Sequence, residues 1–253
     1  MSGADGLQGT LPAKILSGKG VVVTGAARRI GRALALTLAE AGADVVITYR
    51  GSQADAEETV AALRALGSNA MAVPCEVREE QSVERAIATA VSHLGGLDIL
   101  VNNAGAFETA ALEEISVAQW DAMFETNTRG PFLLARTAHP YLKAARGRIV
   151  NIGSLGGLHP WATHGHYCTS KAALHMLSQT MAKAWAPEIA VNCVAPGMIV
   201  WGDVNPAYEH FAAKTPMGRN GQAEDVAAAV LFFATAPSFI TGQLLAVDGG
   251  LGL

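Results

Sequence analysis

Tyr167 and Lys171 stand four residues apart in HYCTSKAALHMLSQTMAKA, a stretch of helical period that puts both side chains on one face, a turn apart. A phenol ordinarily titrates near pH 10 and is a poor base at neutrality. An ammonium beside it favours the phenolate, and each unit of lowering is worth about 1.4 kcal/mol. Such a pair suits the exchange of a proton with a carbonyl oxygen. Two more residues can serve that oxygen. Ser154 follows the apolar run GRIVNIG, at a strand's carboxyl end where a hydroxyl faces a ligand and can donate a hydrogen bond. Asn127, in ETNTRG, falls in a helical stretch where asparagine is a mediocre former, so its amide can interrupt the helix and hold a water. Taken singly, Ser154 also reads as a strand-end turn, Asn127 as a surface residue and the Tyr–Lys spacing as coincidence. The set of four carries the argument.

A second constellation opens the chain's regular part. GVVVTG runs into AARRIGRALALTLAEAGA, a strand, a turn with Gly25 and Gly31, and an amphipathic helix. A helix N-terminus offers free N–H groups and the positive end of its dipole, which suits a pyrophosphate. Two glycines alone mean no more than a tight turn with close packing; their place between first strand and first helix is what a dinucleotide fold requires. The second strand ends VVITYRGS, with Tyr49, Arg50 and Ser52 where an NAD site would place a carboxylate for the ribose hydroxyls. Arg28 and Arg29 add two cations close by. A guanidinium grips a 2′-phosphate with two hydrogen bonds, so the cluster favours NADP(H) over NAD, the bland alternative being solvated surface arginines.

These residues need a scaffold, and the hydrophobic pattern supplies one. β-Branched runs at 20–24, 44–49, 69–75, 97–102, 147–152, 189–195 and 243–247 alternate with segments of helical period. This predicts an α/β fold: a Rossmann-type, doubly wound parallel sheet of seven strands with helices on both faces. Segments 54–66 and 83–94 read as helices, with Ser52 or Gln53 and Ser82 as capping signals and Gly67 and Gly95 as stops. Residues 1–16 read as a poorly ordered arm and 17–253 as one domain. The aperiodic segment 196–222 follows a strand's carboxyl end, where ligands bind in open sheets, and reads as a substrate lid.

Composition bounds the rest. Half of the 253 residues are hydrophobic, only 16% are charged and the net charge is −4, enough for a large core and wrong for nucleic acid or an anionic membrane. The apolar runs stop short of the roughly 18 residues that cross a bilayer. Cys75, Cys168 and Cys193 are isolated, without zinc-type spacing, and read as reduced thiols of a cytoplasmic protein with no metal site. His159, Trp161, His164 and His166 precede Tyr167 and either line its pocket or belong to loop structure.

The chain resembles the short-chain dehydrogenases/reductases from 20 to 250. The likeness rests on TGAARRIG at 24–31, NNAG at 102–105, Asn127, Ser154, YCTSK at 167–171, PG at Pro196 and Gly197, and DGG at 248–250. The resemblance implies that Tyr167 is the general acid/base, that Lys171 lowers its pKa and binds the nicotinamide ribose, that Ser154 orients the carbonyl and that Asn127 holds a relay water. It further implies that Gly25, Arg28, Arg29 and Ile30 form the phosphate turn. Asn103, Ala104 and Gly105 would border the adenosine, Glu76 and Val77 would contact adenine, and Pro196, Gly197 and Ile199 would flank the nicotinamide. A homotetramer or dimer is implied too.

Departures from the pattern bear on substrate. The commoner first turn has glycine where this chain has Arg29, and TGAARRIG with YR after the second strand is similar to the pteridine reductases, as is Phe107. Ser154 argues against them, since they often carry Asp there. PGMIVWGD lacks the threonine common after PG, and Trp201 stands nearby. The sequence therefore reads as an NADPH-dependent reductase of a ketone or aldehyde, similar to the 3-oxoacyl-carrier-protein reductases. Pteridine reduction is the alternative, and an inactive cofactor-binding regulator is a lesser one that the complete set of four residues opposes.

Overall fold

The computed structural model describes residues 14–201 and 208–253. The seven strands among them are β1 (Gly20–Val23), β2 (Asp44–Tyr49), β3 (Met71–Pro74), β4 (Ile99–Asn102), β5 (Arg148–Ile152), β6 (Ala190–Pro196) and β7 (Leu244–Val247). All pair in parallel, in the order β3-β2-β1-β4-β5-β6-β7. Strands β1, β4 and β6 are buried at every position, which is why they read as unbroken apolar runs rather than alternating ones.

Alternate side chains of each strand enter different cores. Val21, Val23, Val45 and Ile47 pack with Leu34 and Leu38 of α1 (Arg29–Glu40), Val60 and Leu63 of α2 (Gln53–Ala65), and Val226 and Phe233 of α8 (Ala223–Thr235). Val22, Val46, Leu100 and Ile149 point the other way. They meet Val83 and Ile87 of α3 (Glu80–Leu94), Leu134 and Leu142 of α5 (Gly130–Ala145), and Met181 of α6 (Gly165–Trp185). The chain runs outward from β1 through β2 to β3, then returns to β4 on the opposite side. The strand order thus reverses between β1 and β4, and a crevice at the carboxyl ends there is where such sheets bind ligands.

Both glycine stops fall where expected, with Gly67 at φ 89° just past α2 and Gly95 at φ 73° closing α3. Three expectations need correction. Ser82 is no cap: it lies inside α3, and its hydroxyl accepts the N–H of Glu76 at 3.0 Å. Ser52 occupies the N-cap of α2 without a capping side-chain bond. Leu16, counted in the expected arm, is instead buried and donates its N–H to the Ala41 carbonyl at 2.8 Å. Positions 1–13 of the expected arm and 202–207 of the expected lid lie outside the described residues. The rest of 196–222 includes α7 (Glu209–Lys214) and a parallel bridge from Ile199 to Gly221.

Candidate active site

Thr24, at the end of β1, organises the nucleotide side. Its buried hydroxyl accepts the N–H groups of Asn103 and Ala104, each at 3.0 Å. The Asn103 amide returns hydrogen bonds to the carbonyls of Thr24 and Gly25 at 2.9 and 3.0 Å, so the NNAG loop is laced to the first turn. Gly25 has φ 63°, and a Cβ there would lie 2.9 Å from the Ala104 Cα; at Gly31 it would lie 2.5 Å from the Gly25 carbonyl oxygen. The turn is therefore a cradle that only bare α-carbons can form. Ile30 packs against the core behind it. Helix α1 begins with no capping side chain and no acidic residue in its first turn, so its end N–H groups face no competing carboxylate. That suits the pyrophosphate of a nicotinamide dinucleotide.

The expected cation cluster divides. Arg28 reaches Asp55 of α2 at 3.7 Å, and Arg50 lies 3.5 Å from Glu76. Both guanidiniums are largely exposed, and such pairs are weak enough to yield to a phosphate. Arg29 leaves the cluster. Its backbone sits at φ 55°, in the region that favours glycine, and its guanidinium stacks over the Trp201 ring at 4.9 Å, toward the segment after β6. Glu76 also departs from expectation. Arg78 binds its carboxylate through two nitrogens at 3.0 and 2.8 Å and, with Arg50 adding its charge, holds its pKa down to about 2. The Glu76 side chain is thus committed to arginine, while Val77 is buried and packs on Gly130. Tyr49 closes β2 and takes the Cys75 N–H on its carbonyl at 2.8 Å.

The catalytic candidates meet where β5 faces α6. Ser154 is buried just beyond β5, its hydroxyl accepting the Gly156 N–H at 3.0 Å and lying near enough to the phenol of Tyr167 to favour its ionised form. Burial pushes the Tyr167 pKa up, and the nearby Ser154 hydroxyl opposes that rise only in part. Lys171 is buried with its Nζ donating to the Ile152 carbonyl at 2.8 Å, and burial brings its pKa down to about 8. The Lys171 ammonium is thus tied to a carbonyl, and burial is the largest influence on the phenol. Asn127 is fully buried in a π-helical turn, Glu125–Arg129, that joins α4 (Val117–Phe124) to α5. Its Oδ1 accepts the Ala106 N–H at 2.8 Å and its Nδ2 donates to the Ala106 carbonyl and Ser170 Oγ, each at 3.0 Å. A Cβ on Gly105 would sit 3.2 Å from Asn127 Oδ1 and 3.6 Å from Lys171 Nζ, so this glycine keeps open the space between the two.

Aromatic rings frame the phenol. Phe107 meets Tyr167 edge-on at 4.8 Å, Trp161 lies roughly parallel to it at 6.1 Å, and His164 tilts against Phe107 at 4.9 Å. His166 is buried 3.7 Å from a Glu108 oxygen, and His159 abuts Gly252. Beyond β6, a Cβ on Gly197 would lie 2.7 Å from the Asp248 Cβ, and Asp248 in turn accepts the N–H groups of Gly250 and Gly252 at 3.0 and 2.9 Å. The DGG turn therefore sets where Pro196, Gly197 and Ile199 run. Sequence reading missed Thr24 as the hub of the turn, the Arg29–Trp201 stack, and His175, whose ring lies beneath Ser154. A histidine four residues beyond Lys171, on the helix face that carries Tyr167 and Lys171, was the available signal for the last.

The chain is similar to known proteins over nearly its whole length. A family model described as enoyl-(acyl carrier protein) reductase matches residues 25–252. The chain is 36% identical over 241 residues to the 3-oxoacyl-(acyl-carrier-protein) reductase FabG of Staphylococcus aureus, covering 92% of this chain and 98% of that one. It is 36% identical over 255 residues to the short chain dehydrogenase/reductase AacuN of Aspergillus aculeatus, covering 93% and 96% of the two chains. Among solved structures, a short chain dehydrogenase from Burkholderia cenocepacia in complex with NADP is similar at a TM-score of 0.88 and 38% identity, over 95% of this chain and 100% of that one.

Proposed function

This chain belongs to the short-chain dehydrogenase/reductase family, and we propose that it is an NADPH-dependent reductase of a ketone or aldehyde carbonyl. The observation that carries the reading is the convergence of Tyr167, Ser154, the buried Lys171 and the buried Asn127 beside a glycine turn suited to a dinucleotide. A protonated phenol is the form that can give its proton to a carbonyl oxygen, which is the reductive direction. Ser154 donates a hydrogen bond to the same oxygen and so favours the charge that gathers there. Lys171, below its pKa of about 8, is the cation that stabilises the phenolate left behind once its ammonium is drawn from Ile152. Asn127 holds the loop at Ala106 and faces the gap beside Lys171, through which a water can return the proton. NADPH, when bound, supplies the hydride.

Three residues support the preference for NADPH. Arg28, at the N-cap of α1, and Arg50, just past β2, are exposed cations, and Ser52 adds a hydroxyl with no capping duty. The segment 196–222, fastened by the Ile199–Gly221 bridge, would close over substrate as a lid, and exposed apolar side chains such as Phe132 and Tyr141 on α5 support assembly into a dimer or tetramer. Fluorescence titration should show NADPH binding about tenfold or more tighter than NADH, a difference of about 1.4 kcal/mol, with the preference lost in Arg28→Ala and Arg50→Ala. Tighter NADH binding would overturn the cofactor assignment, and binding of neither would overturn the enzyme.

Pteridine reduction is the second reading, favoured by one observation. Phe107 is 61% exposed and meets the Tyr167 ring, a surface on which a flat heterocycle can stack. Turnover of a pterin in preference to a 3-oxoacyl thioester would select it.

A further inference from the structure

His175 is buried on α6, one turn beyond Lys171, and its Nε2 accepts the backbone N–H of Ser154 at 3.3 Å. The strand end is shaped around this ring. A Cβ on Gly153 would lie 2.3 Å from His175 Nε2, and one on Gly157 would lie 2.5 Å from its Cε1, so a side chain at either position would displace the imidazole. A backbone N–H can only donate. Nε2 must therefore be bare, and the ring's proton must sit on Nδ1. Burial, reinforced by the charge of Lys171, pushes the His175 pKa down to about 4, which preserves that acceptor at neutral pH. The Nδ1 atom has no hydrogen-bond partner among the described residues, a cost that an aliphatic side chain would avoid. Lys171 meanwhile grips the Ile152 carbonyl. Two side chains of α6, a turn apart, thus fasten residues 152 and 154 of the segment that presents the Ser154 hydroxyl.

We propose that His175 is a positioning residue: by holding the backbone N–H of Ser154 it aims the Ser154 hydroxyl at the substrate carbonyl. The proposal rests on the reductase reading above. It distinguishes His175 from a space-filling core residue, since the hydrogen-bond acceptor matters and the volume alone does not. Displacing a positioned group by an ångström costs on the order of 10²-fold in rate.

The test combines kinetics with a measurement that needs no substrate. With NADPH and acetoacetyl-CoA, His175→Met should lower kcat by roughly 10- to 100-fold while NADPH affinity, read by fluorescence, stays within about twofold. His175→Gln, whose amide oxygen can reach the place of Nε2, should recover most of that loss. In a double-mutant cycle, adding His175→Met to Ser154→Ala should cost little beyond Ser154→Ala alone, because the histidine acts through the serine. Equal losses in Met and Gln, or full additivity with Ser154→Ala, would overturn the proposal. Should His175→Met fail to fold, His175→Asn against His175→Gln makes the same comparison, asparagine being a bond too short. Independently, nitrogen NMR of the wild-type imidazole should show the Nδ1–H neutral tautomer at neutral pH. An Nε2–H tautomer would overturn the proposal whatever the substrate. Absence of turnover by wild type with every carbonyl tried, alongside the expected tautomer, would instead count against the reductase reading.

Discussion

Charge at the catalytic edge is set by desolvation before it is set by neighbours. Tyr167 is held above its ordinary pKa, while Lys171 and His175 are held below theirs, to about 8 and about 4. At pH 7 the edge is therefore neutral phenol, ammonium and neutral imidazole. For His175 the sign of the linkage is definite. The unfolded imidazole takes a proton at about pH 6.5 and the folded one only at about 4, so the unfolded state binds more protons between those values. Stability is whole above pH 6.5 and declines as pH falls toward 4, by up to about 3 kcal/mol from this residue. The groups acting on the ring are Lys171 on its own helix and the Gly157 backbone, with the Cys193 sulfur of β6 sharing its neighbourhood at Gly153. Urea unfolding of wild type and His175→Gln at about pH 7 and about pH 4.5 checks it: wild type should lose more, and equal losses would remove His175 as the cause. Tyr167, Lys171, Ser154 and Asn127 were all legible in the sequence, because their types and spacing are unusual together. The surroundings of the phenol were not, because they depend on burial and on the Ile152 carbonyl that Lys171 binds.

At the scale of elements, the first turn shows a conflict between backbone and side chain. Arg29 occupies a left-handed conformation that costs a non-glycine residue on the order of 1 kcal/mol, and it regains part through the stack on Trp201. Replacing it separates the two effects. Arg29→Ala should lose the stack and keep the strain, whereas Arg29→Gly loses both, so the glycine variant should be the more stable by about 1 kcal/mol in denaturant unfolding. Equal stability of the two would mean the turn stores no strain. Elements of this kind were unevenly readable. All seven strands could be found because helices cover both faces of the sheet and leave apolar runs such as VVVT and VVIT, although several ends were trimmed. The π-helical turn at Glu125–Arg129 left no pattern beyond an asparagine in a helix, and Ser82 resembled a cap because its hydroxyl serves a backbone N–H, only not that of its own helix.

The whole molecule turns a one-dimensional list of motifs into a site through one topological fact, the reversal of strand order beside β1. It brings the ends of β1, β4, β5 and β6 to one edge, so TGAARRIG, NNAG, Ser154 and PG become neighbours. Contacts across that edge, such as Arg29 with Trp201 or Ser154 with His175, join residues far apart in sequence, and neither hydrophobic period nor spacing can announce them. The motifs marked the chemistry, while the packing decided which arginines remain for a phosphate and how the serine is held.

The most direct test of the account is NADPH oxidation in the presence of a 3-oxoacyl thioester, by wild type and by Tyr167→Phe. The phenylalanine variant keeps the ring among Phe107 and Trp161 and loses only the hydroxyl. The account predicts a fall in kcat of roughly 10²- to 10⁴-fold with NADPH affinity unchanged. A variant that keeps wild-type turnover would show that the proton comes from elsewhere, and the assignment of Tyr167 would be contradicted.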